Sequence, residues 1–127
     1  MKGFIAGAFD LLHPGHLYTL AECKKHCNIL VVGIHVDPSL ERKDKNKPVQ
    51  TVFERYIQLA SCRYVDEFVP YETEQDLLNI LNTLKIDVRF LGSEYEHSDK
   101  ITGKDIVPIK YIPRNHSHSS SELRKRL

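Results

Sequence analysis

Apolar and polar residues alternate along this chain with two different periods. The continuous apolar stretch at residues 29–32 has the pattern of a strand that is buried on both faces. Other segments repeat their apolar residues every three or four positions, as Leu77, Ile80, Leu81 and Leu84 do, and this spacing is typical of amphipathic helices. The apolar stretches predict strands at residues 2–6, 29–36, 67–70, 88–91 and 109–112.

Local signals mark where the helices between these strands begin. Pro14 suits the first helical position, because its missing N–H has no partner there, and a helix is predicted over residues 14–26. Three further pairs have the spacing of a capping box, in which a hydroxyl residue precedes an acid by three positions. These pairs are Thr51 with Glu54, Thr73 with Asp76, and Ser119 with Glu122.

Repeated strand–helix units predict an α/β fold with a mainly parallel five-stranded sheet. Right-handed crossovers place helices on both faces, which gives a Rossmann-like three-layer α/β/α sandwich. A length of 127 residues fits a single domain over residues 1–127. Ligands of such sheets bind at the carboxyl ends of the strands, so we expect the chemistry at that edge.

Composition narrows the class of protein. The formal net charge is +1, without the basic excess of a nucleic-acid-binding protein. No window is long and apolar enough to span a membrane, and no signal-peptide pattern stands at the N-terminus. Three cysteines without paired spacing favour a reducing compartment, and we interpret Cys23 and Cys27 as packing residues. We therefore expect a cytoplasmic protein with no nucleic-acid or membrane partner.

Residues 7–16, with the sequence GAFDLLHPGH, hold the strongest chemical signal. They connect the first strand to the first helix and place His13 and His16 three positions apart. Gly15 has no Cβ and leaves room for a ligand beside the backbone. The free N–H groups of the first helical turn favour an anion such as phosphate.

The motif resembles the signature of the cytidylyltransferases, most closely the small glycerol-3-phosphate cytidylyltransferase type. Further segments are similar to family motifs in the same order along the chain, and they lie at residues 63–67, 92–95 and 114–121. The resemblance implies transfer of CMP from CTP to a small phosphomonoester such as glycerol 3-phosphate, with release of pyrophosphate. It also implies Mg²⁺ as cofactor and a homodimer.

The resemblance also assigns the candidate site residues. The catalytic set is His13, His16, Lys43 and Arg114. The nucleotide-binding set shares His13, His16 and Arg114 with the catalytic set and further contains Ala8, Phe9, Asp10, Gly15, Lys45, Gly92, Glu94, His118, Ser119, Ser120 and Ser121. The acceptor-binding set is Lys43, Arg55 and Tyr95. Glu94 would accept from the cytosine amino group, and Tyr95 would stack on the base or the acceptor.

Each of these residues also has a simpler interpretation. The two histidines would then be surface or helix-capping residues, or metal ligands with His116 and His118. The lysines at residues 43–47 would be a solvated charge run, and Arg55 a surface ion-pair residue. Ser119, Ser120 and Ser121 would serve as the cap of the last helix.

The sequence also departs from the glycerol-phosphate enzymes. Ala8 stands where they have threonine, and residues 73–76 lack their acceptor-binding lysine. The related heptose-phosphate adenylyltransferases share the histidine motif and have a similar Gly-x-x-Tyr turn. Two alternatives therefore stay open: an adenylyltransferase that uses ATP and a sugar phosphate, and a nucleotide-binding module without turnover.

Overall fold

The computed structural model describes residues 1–113. Its strands are β1 (Lys2–Gly7), β2 (Ile29–His35), β3 (Glu67–Tyr71), β4 (Val88–Gly92) and β5 (Ile109–Ile112). Its helices are α1 (Pro14–Lys24), α2 (Val52–Ala60) and α3 (Glu74–Thr83). Short 3-10 turns at Pro38–Leu40 and Ser93–Tyr95 follow β2 and β4.

The five strands form one sheet in the order β3-β2-β1-β4-β5. Every neighbouring pair is parallel, so a sheet predicted as mainly parallel is parallel throughout. The chain moves outward from β1 to β3 and then returns to the other side of β1 at β4. This change of direction opens a crevice at the carboxyl ends of β1 and β4, where ligands bind in sheets of this kind.

The sheet separates two hydrophobic cores, which confirms the three-layer arrangement. One face packs against α1 and α2 through residues such as Leu20 and Leu59. The other face packs against α3 through Leu77 and Leu81. Side chains of β2 alternate between the two, with Val32 in the first core and Val31 in the second, as the two-residue period of a strand requires.

Predicted element boundaries differ from the observed ones by at most two residues. Helix α1 ends at Lys24 rather than residue 26, because the amide of His26 bonds to the carbonyl of Cys23 and tightens the last turn. Capping boxes are present at Thr51 and Thr73, as predicted. The third predicted box, at Ser119, lies outside the described residues.

Cys23 is completely buried against the first core, and burial raises the pKa of its thiol to about 12. The Cys27 thiol bonds to the carbonyl of Cys23. Both cysteines are therefore packing residues, as predicted. Among the helices of residues 1–113, none has the length and apolar character needed to cross a membrane.

Candidate active site

The turn after β1 holds the backbone in an unusual conformation. Phe9 and Leu11 have φ angles of 50° and 51°, in the left-handed region that bulky side chains rarely adopt. Phe9 is buried, and its ring centroid lies 5.4 Å from that of His16. Strain of this kind persists where the surroundings impose it, and it is common at functional sites. Phe9 thus packs close to the ring of His16. Phe9 is not among the residues that line the cavity described next.

A cavity of about 500 Å³ opens at the carboxyl edge of the sheet. A volume of this size accommodates a nucleotide-sized ligand. Of the residues predicted to bind nucleotide or acceptor, those that line the cavity are Ala8, His13, Gly15, His16, Lys45, Gly92, Glu94 and Tyr95. The topology has therefore brought the segments after β1, β2 and β4 to one place.

His13 and His16 form a capping box made of two imidazoles. The amide of Gly15 donates to Nδ1 of His13 at 3.0 Å, and the amide of His13 donates to Nδ1 of His16 at 3.3 Å. The rings stack with centroids 3.9 Å apart. The capping interpretation is therefore correct, and it has a chemical consequence. Since each Nδ1 accepts an N–H, the neutral form of each ring carries its proton on Nε2.

Hydrogen bonds hold both ends of the loop between β2 and α2 in place. Asp10 accepts the amides of Val49 and Gln50 at 2.8 and 2.9 Å, and Gln50 Oε1 accepts the amide of Leu11 at 2.8 Å. At the other end, Glu41 accepts the amide of Glu74 at 3.0 Å. Asp10 therefore positions the loop beside the histidine turn, and its predicted contact with nucleotide stays a prediction.

The two lysines of this loop differ in position. Lys45 lines the cavity, where its ammonium group is available to phosphate. Lys43 is exposed and is not among the lining residues. The nucleotide-binding role of Lys45 and the catalytic and acceptor roles of Lys43 stay predictions.

Arg55 is buried, with 2% of its surface exposed, so its interpretation as a surface ion-pair residue is wrong. Its guanidinium donates to the carbonyls of Ala8, His35 and Val36 at 3.0, 2.7 and 2.7 Å. Burial lowers the pKa of Arg55, whereas Asp10 and Asp37 act in the opposite direction. Within residues 1–113 its guanidinium bonds go to backbone carbonyls, and acceptor binding by this side chain stays a prediction.

Glu94 folds back over the backbone of Gly92 at the mouth of the cavity. A Cβ on Gly92 would lie 2.3 Å from Glu94 Oε2, so a larger residue would displace the carboxylate. The absence of a side chain at Gly92 thus makes room for the Glu94 carboxylate. Its hydrogen bond to a base stays a prediction.

A second group of polar residues, which the motifs do not indicate, lines the cavity on the α3 side of the sheet. We call Arg42, His35, Tyr71, Glu74 and Arg89 the α3-side cluster. His35 and Tyr71 stack with ring centroids 4.5 Å apart, and Arg42 Nη2 lies 3.0 Å from Glu74 Oε1. Arg89 donates to the carbonyl of Thr102. In the sequence, this cluster is indicated only by polar residues in otherwise apolar strands, as at His35 and Arg89.

Burial dominates the electrostatics of this cluster. Burial lowers the pKa of His35, and the nearby Glu74 partly offsets the shift. Burial also lowers the pKa of Arg89 and raises that of Tyr71 well above its usual range. At neutral pH, His35 and Tyr71 are therefore neutral. Glu74 pairs with Arg42, and its charge also acts on Arg89.

The remaining predicted residues lie outside the described part of the chain. They are Arg114, His116, His118, Ser119, Ser120 and Ser121. Their contacts with triphosphate or with a metal stay predictions.

Within residues 1–113, no group of three His, Cys, Asp or Glu side chains is placed to hold a metal ion. These residues therefore do not form a Mg²⁺ cage of their own. Mg²⁺ in nucleotide sites commonly takes most of its ligands from phosphate oxygens and water.

A family model described as cytidylyltransferase-like matches residues 4–126. The chain belongs to this family. The match covers nearly the whole sequence, including the histidine turn, the β4 turn and the segment beyond residue 113. Family membership and the site geometry together support the function proposed below.

Individual relatives are similar to most of this chain. Bifunctional protein HldE of Paramagnetospirillum magneticum is 43% identical over 106 residues, which cover 83% of this chain and 21% of that protein. HldE of Helicobacter hepaticus is 34% identical over 125 residues, which cover 94% of this chain and 25% of that protein. This family member thus spans roughly a fifth to a quarter of the curated relatives it matches.

Among solved structures, the lipopolysaccharide core biosynthesis protein from Thermoplasma volcanium is 25% identical, with a TM-score of 0.71. The match covers 93% of this chain and 98% of that one. The Rossmann-like fold is therefore shared over nearly the full length of both chains.

Proposed function

We propose that this chain is a nucleotidyltransferase, and specifically an adenylyltransferase that joins AMP from ATP to a sugar phosphate. The observation that carries the chemistry is the stacked histidine pair at the start of α1, facing the cavity. The sugar phosphate is supported by the relatives named HldE and by the neighbour named for lipopolysaccharide core biosynthesis, since that core is built from sugars. The Gly-x-x-Tyr turn at residues 92–95, similar to that of the heptose-phosphate adenylyltransferases, points the same way.

In the proposed reaction, a phosphate oxygen of the acceptor forms a bond to the α-phosphorus of ATP. The bond from that phosphorus to the bridging oxygen breaks, and pyrophosphate leaves. The nucleophile is already an anion, so the reaction needs positioning and charge stabilisation more than a general base. The Nε2–H groups of His13 and His16 would donate to oxygens on the α-phosphorus, where negative charge increases in the transition state.

Positive groups around the cavity would hold the phosphates. Lys45 and Lys100 line it, and Arg114 with Ser119, Ser120 and Ser121 would complete the triphosphate site. Mg²⁺ would accompany the triphosphate and reduce its negative charge. Lys43 would contact the acceptor phosphate as it approaches.

The choice of base would depend on the β4 turn. The Glu94 carboxylate accepts hydrogen bonds, so it would suit the exocyclic amino group of adenine or of cytosine. The relatives favour ATP over the CTP and glycerol 3-phosphate that the motifs first suggest. Both donors therefore belong in the same test.

The test is a matrix of ATP, CTP, GTP and UTP against the phosphates of a heptose, glycerol, choline and ethanolamine. Pyrophosphate release and product mass are measured for each pair. We expect turnover with ATP and the heptose phosphate. Turnover with CTP and glycerol phosphate would instead support a cytidylyltransferase, and tight nucleotide binding without pyrophosphate release would support a binding module.

We also propose that the chain forms a homodimer through α2. Phe53, Tyr56 and Ile57 lie three and four positions apart on this helix and are 68%, 43% and 47% exposed. Phe53→Glu should then reduce the mass measured by light scattering to that of one chain. The matched control is Leu40→Glu, which changes an 80% exposed residue away from α2. A wild-type protein that is already monomeric would contradict the proposal.

A further inference from the structure

Two buried side-chain atoms of residues that line the cavity lack a hydrogen-bond partner within residues 1–113. They are His35 Nε2 and Glu74 Oε2, and both are shielded from bulk water. Only 7% of the His35 surface is exposed, and both residues line the cavity. A buried polar atom without a partner destabilises a fold, so native proteins rarely retain one without a functional reason.

The surrounding residues hold these two atoms in place. The Tyr71 ring stacks on His35, and Gly33 makes room for it, because a Cβ there would lie 3.3 Å from Tyr71 and 2.7 Å from Phe4. Arg42 fixes the other carboxylate oxygen of Glu74. The last torsion of a glutamate is soft, so a small rotation of the planar carboxylate can turn Oε2 toward a ligand.

The electrostatics favour one kind of ligand group at this position. In the proposed reaction the phosphates lie near His13, His16 and Lys45, so the α3-side cluster faces the part of the acceptor beyond its phosphate. An ammonium group would be repelled by Arg42 and Arg89. A hydroxyl is neutral, donates to Glu74, and can either donate to or accept from the neutral His35 ring.

We infer that the α3-side cluster binds hydroxyl groups of the acceptor, and that Glu74 and His35 select a polyhydroxylated phosphomonoester. The inference rests on the proposed function, because it identifies the substrate class of the same cavity. The acceptor would lie across the sheet edge, with its phosphate toward the histidine pair and its hydroxyls toward α3. Selection of this kind is strong, since an acceptor without the hydroxyl leaves the protein groups unpaired.

The experiment measures acceptor and nucleotide binding separately in Glu74→Gln and His35→Phe. The first change keeps the size of the side chain and removes its charge, and the second keeps the aromatic stack and removes Nε2. We expect the KM for the sugar phosphate to rise about tenfold or more in each, with the KM for the triphosphate unchanged. Glu72→Gln is the matched control, because Glu72 is exposed and absent from the cavity wall.

A hydroxyl scan makes the test specific. Monodeoxy analogues of the sugar phosphate should each be compared in wild type and Glu74→Gln. Removal of the contacted hydroxyl should raise the acceptor KM of wild type about tenfold and leave that of Glu74→Gln unchanged, as expected for a directly interacting pair. An acceptor KM that is unchanged in Glu74→Gln would overturn the inference. An equal rise in KM for every analogue in both proteins would also overturn it.

Calorimetric binding separates this inference from the proposed function. If wild type releases no pyrophosphate yet binds the sugar phosphate in a way that Glu74→Gln abolishes, the proposed function fails and the hydroxyl site stands. If phosphoethanolamine binds more tightly than the sugar phosphate and depends on Glu74, the cluster is an ammonium site and the inference is wrong. Equal melting temperatures of the variants would show that the losses do not come from unfolding.

Discussion

The two sides of the cavity are built in different ways. On the α1 side, His13, Gly15 and His16 come from one continuous segment whose own hydrogen bonds orient the rings. On the α3 side, His35, Tyr71, Glu74 and Arg89 come from four separate elements that only the sheet brings together. A local motif is well suited to chemistry that every substrate shares. An assembled surface is free to change residue by residue, which suits recognition of a particular acceptor.

The largest expected effect is on the α1 side. Asparagine is a favoured helix cap, so His13→Asn should keep an acceptor for the Gly15 amide and lose only the Nε2 donor. We expect turnover to fall by about a hundred- to a thousandfold, as for other transition-state donors, and His16→Ala to fall similarly. Pyrophosphate release at saturating substrates is the measurement.

The control for this change is His97→Ala, at an exposed position outside the cavity wall. Circular dichroism should show that His13→Asn is folded. Full turnover in a folded His13→Asn would mean that the histidine pair only caps the helix. The functional contrast between the two sides would then disappear.

Substitution of Arg55 should destabilise both sides of the cavity, because its hydrogen bonds connect the turn after β1 to the end of β2. Arg55→Ala would leave three carbonyls without donors in a buried place, and we expect a loss of about 3 kcal/mol in the free energy of unfolding. Urea denaturation measures this loss. Arg63→Ala is the control, since Arg63 is exposed and rests on the Tyr64 ring. Similar stability of both variants would show that the Arg55 bonds contribute little.

The smallest expected effect is a pH dependence on the α3 side. Burial lowers the pKa of folded His35, so the unfolded chain takes up a proton first as the pH falls through about 6.5. Stability from the neutral ring is therefore complete above that pH and is lost progressively toward the lower folded pKa. Wild type should lose stability relative to His35→Phe between pH 7.5 and 5.5. A constant difference in unfolding free energy would contradict the burial argument.

The same contrast explains what the sequence could predict. The strand and helix order, the capping boxes and the histidine turn follow from local patterns, and each was found within two residues of its predicted place. Only the surface ion-pair interpretation of Arg55 is wrong. It follows from the rule that a charged residue on an amphipathic helix usually faces water, whereas this side chain is buried against three carbonyls that are distant in the sequence. The α3-side cluster was missed for the same reason. His35 and Glu74 are ordinary residues until the fold brings them to one cavity wall.

The most direct test of the account is phosphorus NMR of the wild-type protein with ATP, Mg²⁺ and a sugar phosphate. Pyrophosphate and a nucleoside-diphosphate sugar should appear in equal amounts, and both should nearly vanish with His13→Asn. ATP that stays intact with every sugar phosphate, or that is hydrolysed without a sugar conjugate, would contradict it.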